Sequence, residues 1–221
     1  ETNGCSADAR QIFACAADGT GWVGVDCLGP AGAPTLCLIT GDAPAGVCTD
    51  CVPGALRCLD DDTVERCDEA GRSWMSHQSC DGQLTGKICL EGVCISQCEI
   101  NAKQPVYMGC DFWAVDLDNS FLPWRELDAQ GAQFSVVISN PSDRYPATIT
   151  VDGVEGPVLE DSAGVLFPTD PVLPGELRIY NLPRRDVDGT VVAPLGYHIR
   201  SSVPITAYQF NPLENVDVFS N

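Results

Sequence analysis

Residues 133–151 read QFSVVISNPSDRYPATITV. Two β-branched runs, Gln133–Ile138 and Ala147–Val151, flank a stretch of Asn, Pro, Ser and Asp, which is the composition of two short strands joined by a turn-bearing loop. The same punctuation continues on both sides. Phe112–Leu117 (FWAVDL), Gly164–Phe167 (GVLF), Glu176–Tyr180 (ELRIY), Tyr197–Ser201 (YHIRS), Thr206–Phe210 (TAYQF) and Val216–Phe219 (VDVF) are further short runs bounded by Asn, Asp, Gly and Pro. No segment holds a 3.6-residue apolar period for three turns, which argues against βαβ units and helix bundles. The reading is an all-β domain over residues 99–221, antiparallel and of the sandwich or jelly-roll kind, with a pair of propeller blades as the alternative.

All 13 cysteines lie between Cys5 and Cys110. Thiols at that density persist as disulfides in an oxidising compartment, so the chain is expected outside the cell or on its outer surface. Residues 5–48 repeat the rhythm of residues 51–94. CAADGTGWVGVDC (Cys15–Cys27) lines up with CDEAGRSWMSHQSC (Cys67–Cys80), each placing an acidic turn and then a tryptophan, Trp22 or Trp74, between two half-cystines. The matching sets Cys5, Cys15, Cys27, Cys37 and Cys48 against Cys58, Cys67, Cys80, Cys89 and Cys94, with Cys51 extra at the front of the second copy. Two cysteine-rich modules follow, residues 1–50 and 51–98, each too poor in apolar residues for a core without cross-links. Cys98 and Cys110 staple the entrance to the β domain. Pairing leaves one cysteine over, and the unmatched copies assign it to the first module; spacing does not fix the connectivity.

Twelve basic against 31 acidic residues give a net charge of -19. A nucleic-acid backbone or an anionic leaflet meets net repulsion from such a surface. No run of 18 apolar residues exists, so no transmembrane segment is expected; any export signal was removed or lies outside the chain. The histidines are His77 and His198, and no G-x-S-x-G occurs, which leaves no sequence basis for a Ser-His-Asp site. Cys48 and Cys51 (CTDC) and the trio Cys89, Cys94 and Cys98 have spacings too loose for a zinc site and are read as half-cystines. CTDC runs on into Val-Pro-Gly rather than a helix, unlike a redox motif. No catalytic residue and no certain cofactor is assigned. Calcium has the best local support, because Asp116 with Asp118 and Asp186 with Asp188 each place two carboxylates one residue apart near a turn. Carboxylates capping turns explain the same pattern. Arg184 and Arg185 either pair internally with Asp186, Asp188 or the Asp116 loop, or grip an acidic glycan or protein segment. Among the aromatic residues Trp113, Trp124, Tyr145, Tyr197, Tyr208 and Phe210, some fill the core and others are free to face a partner; Trp113 and Tyr208 are the partner candidates.

YMGCDFWAVDLDN (Tyr107–Asn119), FSVVISNPSDRYPATITV (Phe134–Val151), PGELRIYNLPRRDVDGT (Pro174–Thr190) and SSVPITAYQFNPLENVDVFSN (Ser201–Asn221) resemble, in this order, bacterial members of the IgGFc-binding-protein N-terminal domain family, of the myxobacterial type. The preceding modules resemble the cysteine-rich repeats that often stand before that domain. The resemblance implies an extracellular interaction or adhesion module without established catalytic residues. In it Trp113, Asp116, Asp118, Arg184, Arg185, Asp186, Asp188 and Tyr208 recur as part of the pattern. It also implies that residues 105–221 are the opening portion of a longer domain. A shared fold names no ligand. The expectation is a secreted or cell-surface, non-enzymatic protein that binds an extracellular protein or glycan. One alternative is a structural subunit of a fibre or coat, self-assembling through an unpaired strand edge. The other is a secreted carbohydrate-active enzyme, which needs two carboxylates facing across an aromatic-lined cleft.

Overall fold

The computed structural model describes residues 4–5, 10–15, 22–28, 36–40 and 43–214. The chain divides into two compact units, Glu1–Cys80 with Ile88–Cys94 and Asp81–Lys87 with Ile95–Asn221. Both are built from antiparallel β-sheet, in keeping with the all-β, disulfide-rich reading.

In the first unit β1 (Gly4–Cys5), β2 (Gln11–Cys15) and β3 (Trp22–Asp26) form a three-stranded sheet, followed by the hairpin β4 (Leu36–Thr40) and β5 (Ala43–Thr49). The pattern then recurs. β6 (Leu56–Cys58), β7 (Thr63–Cys67) and β8 (Trp74–Ser79) form a second three-stranded sheet, and β9 (Lys87–Leu90) pairs with β10 (Val93–Ser96) in a hairpin through which the unit boundary runs. The copies agree in register, since Cys15 pairs with Trp22 as Cys67 pairs with Trp74. They agree again where the Cys27 N–H donates to Arg10 O and the Cys80 N–H to Asp62 O, both at 2.8 Å. The connectivity, which spacing left open, is also repeated: Cys5–Cys37 matches Cys58–Cys89, and Cys27–Cys48 matches Cys80–Cys94.

Cys51–Cys67 and Cys98–Cys110 complete six bridges. The thirteenth cysteine is Cys15, in the first module, and its side chain lies outside the described residues. The two cysteines of CTDC go to different bridges, Cys48 to Cys27 and Cys51 to Cys67, which removes both the zinc and the redox readings. In the second module the cross-links are themselves the core: Val64, Cys80 and Cys89 are buried, with Cys58 and Cys94 packed on them. Each bridge stabilises so small a module by roughly 2–4 kcal/mol, chiefly by restricting the unfolded chain. Gly71 closes the turn before β8 at a φ of +70° and accepts the Asp50 and Cys51 N–H groups at 2.7 and 3.2 Å; a Cβ there would stand 2.8 Å from Thr49.

The second unit is organised by one long strand. β11 (Gly109–Ala114), β14 (Ser135–Ser139), β15 (Ile149–Gly153), β16 (Gly156–Pro157), β17 (Leu177–Asn181) and β18 (Tyr197–Phe210) make a six-stranded sheet. Between β11 and β14 lies the small hairpin β12 (Phe121–Leu122) and β13 (Leu127–Asp128). The first half of β18 pairs with β11 and β15, and its second half pairs with β14. β18 thus fuses the expected runs 197–201 and 206–210. Tyr197, Ile199, Val203 and Ile205 are buried while Ser201 between them is half-buried, so the inward alternation carries through a register shift opposite Gly109–Asp111 that absorbs Pro204. Phe134, Val136, Ile138, Val172 and Leu182 fill the same core. Asn140 fixes the loop after β14: its amide donates to Tyr145 O and Val172 O, each at 2.9 Å, and its Oδ1 accepts the Ser142 N–H. Gly164–Phe167 contributes one bridge, Leu166 to Glu160, rather than a strand, and the run Val216–Phe219 lies outside the described residues.

Candidate functional site

Cross-strand pairing sorts the second unit's sheet into an inward face and an outward one. Directly opposed residues share a face, so the outward rows are Trp113, His198 and Asp152, then Asp111, Arg200 and Thr150, on β11, β18 and β15. Further along β18 the outward rows are Ile179, Val137 and Tyr208, flanked by Leu177 and Phe210. Trp113, Leu177, Ile179, Tyr208 and Phe210 are all exposed. Each half of β18 thus buries one face and carries exposed apolar side chains on the other, surface of the kind that marks interaction sites.

At the polar end two diagonal contacts lace the rows together. His198 Nε2 meets Asp111 Oδ2 at 3.0 Å, and Arg200 Nη2 donates to Asp152 Oδ2 at 2.5 Å. His198 in turn stacks on Trp113, with ring centroids 4.4 Å apart and planes 1° from parallel, while Trp113 stays 66% exposed. A tryptophan this exposed is ordinarily free to change rotamer; here Asp111 fixes His198 and His198 fixes the indole. Sequence reading singled out Trp113 but not its supports Asp111, His198, Asp152 and Arg200. The period-2 alternation in DFWA and YHIRS places Asp111 with Trp113 and His198 with Arg200 on common faces, and the pairing of β11 with β18 and β15 then brings them together.

The Asp and Arg candidates meet elsewhere in the unit. A parallel bridge joins Leu117 to Val187, and the Val187 N–H donates to Asp116 O at 2.9 Å, so Asp116 and Asp186 become neighbours. Asp116 is 1% exposed; its Oδ2 accepts the Arg185 N–H at 3.1 Å, and its Oδ1 is buried without a partner, as is Asp186 Oδ1. Burial pushes the Asp116 carboxyl above its ordinary 3.8, and the neighbouring Asp186 carboxyl adds to that push. Arg184 pairs with Asp186 at 2.5 Å. The Arg185 guanidinium lies 5.0 Å from the Tyr197 ring centroid and packs where a Cβ on Gly153 would stand. Tyr197 is buried, donates to Pro183 O, and has its hydroxyl pushed up to about 12, mainly by burial. Both arginines therefore take internal partners.

Asp118 and Asp188 are exposed, and the structure does not bring all four aspartates together. Among the described residues no group of three or more His, Cys, Asp or Glu side chains converges as metal ligands. Of the remaining aromatic candidates, Tyr145 belongs to the core and Trp124 is exposed. No helix among the described residues is long and apolar enough to cross a membrane. No family model matches the chain, and neither a curated protein nor a solved structure matches it.

Proposed function

We propose that the chain is a secreted or cell-surface interaction protein, non-enzymatic, whose second unit binds an extracellular protein or glycan through the outward face of its sheet. The observation that carries this reading is the exposed apolar surface on the outward rows: Trp113 held by His198 where β11 meets β18, and Tyr208, Ile179 and Leu177 where β14 meets β18 and β17. Six disulfides support the extracellular setting. The resemblance of residues 105–221 to the IgGFc-binding-protein N-terminal domain family is part of the same proposal and agrees with it. In this reading the cross-linked modules are stiff spacers or an added contact surface. The enzymatic alternative draws no support from the polar end of the face, where Asp152 is the one carboxylate lining the cleft beside Trp113 and glycoside hydrolysis needs two.

Binding of the immobilised full chain to extracellular matrix from the source cells tests the proposal, with Trp113→Ala, Ile179→Asp and Tyr208→Asp as variants. These side chains are exposed, so the variants are expected to fold, and Trp113→Ala on one half of the sheet, or Ile179→Asp and Tyr208→Asp on the other, should weaken binding at least tenfold. Matrix binding that all three variants leave intact refutes the assignment of this face.

A further inference from the structure

Beside Trp113 the outward face is concave. A cleft of about 470 Å³ is lined by Trp113, His198, Asp152, Val154 and Pro194, with glycines at 153 and 196. Resting on the reading of this face as a binding surface, we infer that the cleft is a glycan subsite, seating one pyranose ring of a neutral polysaccharide against the Trp113 indole.

Three features select that occupant. The first is the platform. His198 covers one face of the indole, and the other carries the negative side of its quadrupole and attracts the polarised C–H groups of a sugar ring. Because His198 and Asp111 already hold Trp113 in place, little side-chain freedom is lost on binding.

The second is the polar edge. Asp152, which lines the cleft, gives Oδ2 to Arg200 in the neighbouring row and keeps Oδ1 as an acceptor. A carboxylate oriented by an arginine offers an acceptor to a sugar hydroxyl in a charge-assisted hydrogen bond. Backbone and apolar atoms supply most of the remaining lining, the balance of a small-ligand site with few orienting polar groups.

The third is size and charge. The cleft volume of about 470 Å³ is that of a small-ligand site. A net charge of -19 disfavours an anionic polysaccharide, and no Lys or Arg is among the described residues lining the cleft. Glycine at 196 keeps the floor low, since a Cβ there would already stand 3.4 Å from Trp113 Cε3.

The test uses the full chain and insoluble cellulose, chitin, mannan and β-1,3-glucan, with heparin-agarose as the anionic comparison. At least one neutral polymer should retain the protein, and soluble oligosaccharides of that polymer should change its tryptophan fluorescence. Trp113→Ala should weaken this at least tenfold and Asp152→Asn severalfold, while Trp124→Ala, at an exposed tryptophan of the same unit, should bind as the parent does. Retention by none of the neutral polymers, retention by heparin alone, or retention that Trp113→Ala leaves unchanged overturns the inference. If no neutral polymer binds but Trp113→Ala still abolishes capture of a proteinase-sensitive matrix component, the glycan subsite falls and the binding face stands. If matrix capture survives all the outward-face variants, both fall.

Discussion

Replacing Asp116 with Asn should stabilise the second unit at neutral pH. Asp116 is buried, and one of its oxygens faces Asp186 with no donor between them. A buried charged acceptor left unpaired costs roughly 1–3 kcal/mol, and removing the charge recovers it. The amide keeps an acceptor for the Arg185 N–H, though a neutral acceptor makes a bond about half as strong as a charged one, a loss of about 1 kcal/mol. The new amide N–H then donates to Asp186 Oδ1, which otherwise has no partner. The surrounding charges are Arg184 on Asp186, Arg185 on the Tyr197 ring, and Asp128, which acts on Arg184. Attraction to the half-exposed Arg184 contributes a few tenths of a kcal/mol in the opposite sense. The net expectation is a gain of about 1 kcal/mol at pH 7.

The gain should depend on pH with a definite sign. A carboxyl whose folded-state value is raised binds its proton more tightly in the folded chain, so the parent protein gains stability as pH falls through that raised value towards the ordinary 3.8. The substituted amide cannot titrate. The advantage of Asp116→Asn should therefore shrink on acidification and vanish below about pH 3.8. Urea unfolding at pH 7, 5 and 3 measures it, read by the fluorescence change of the second unit's Trp113 and Trp124, with Asp116→Ala as a variant that also removes the bond to Arg185. A loss above about 1 kcal/mol at pH 7, or a gain that persists at pH 3, refutes the reasoning. So does a rise in Tm with millimolar calcium that Asp116→Asn abolishes, because the facing carboxyls would then be cation ligands.

Glu176 acts in the opposite direction: the Leu173 N–H and Arg178 hold its carboxyl below the ordinary 4.5, so the stability it adds is present above that value and is lost as pH falls below it. Glu176→Gln should flatten the acid limb of the stability curve. Tyr197 should stay protonated past the ordinary tyrosine value of 10, giving a separate step near pH 12 in the 295 nm absorbance; the stability tied to that proton is lost as pH rises from 10 towards 12. Tyr197→Phe should remove the step and cost roughly 1–3 kcal/mol by leaving the Pro183 carbonyl without its donor. Gly71→Ala should destabilise the first unit by at least about 1–3 kcal/mol, the strain of a positive φ with a Cβ pressed on Thr49, as measured by the urea midpoint. Without reduction, the intact mass should show six disulfides; peptide mapping should find Cys58 with Cys89 and Cys80 with Cys94, and a shuffled pattern would refute the repeat.

Much of this architecture is legible in the chain alone because it rests on local chemistry. Cysteine spacing and the shared tryptophans reveal the repeat, since each half-cystine sits at a fixed offset along short, turn-bounded strands. β-Branched runs broken by Asn, Asp, Gly and Pro identify an all-β second unit, because those residues set φ and ψ where they stand. Fusion of two runs into β18 is less legible. Pro204 reads as a strand break, and it is the register shift against β11 that lets the strand continue through it.

Which cysteine meets which, and which outward residues become neighbours, is decided by tertiary pairing between segments far apart in the chain. Asp111 and His198 are 87 residues apart and Asp116 and Arg185 are 69 apart, and strand or bridge pairing brings each together. Residue type made Trp113, Asp116 and Arg185 candidates. The fold gave them different positions, because β-sheet alternation sends successive side chains to opposite faces: Trp113 outward onto a platform built by His198, Asp116 inward beside a second carboxyl.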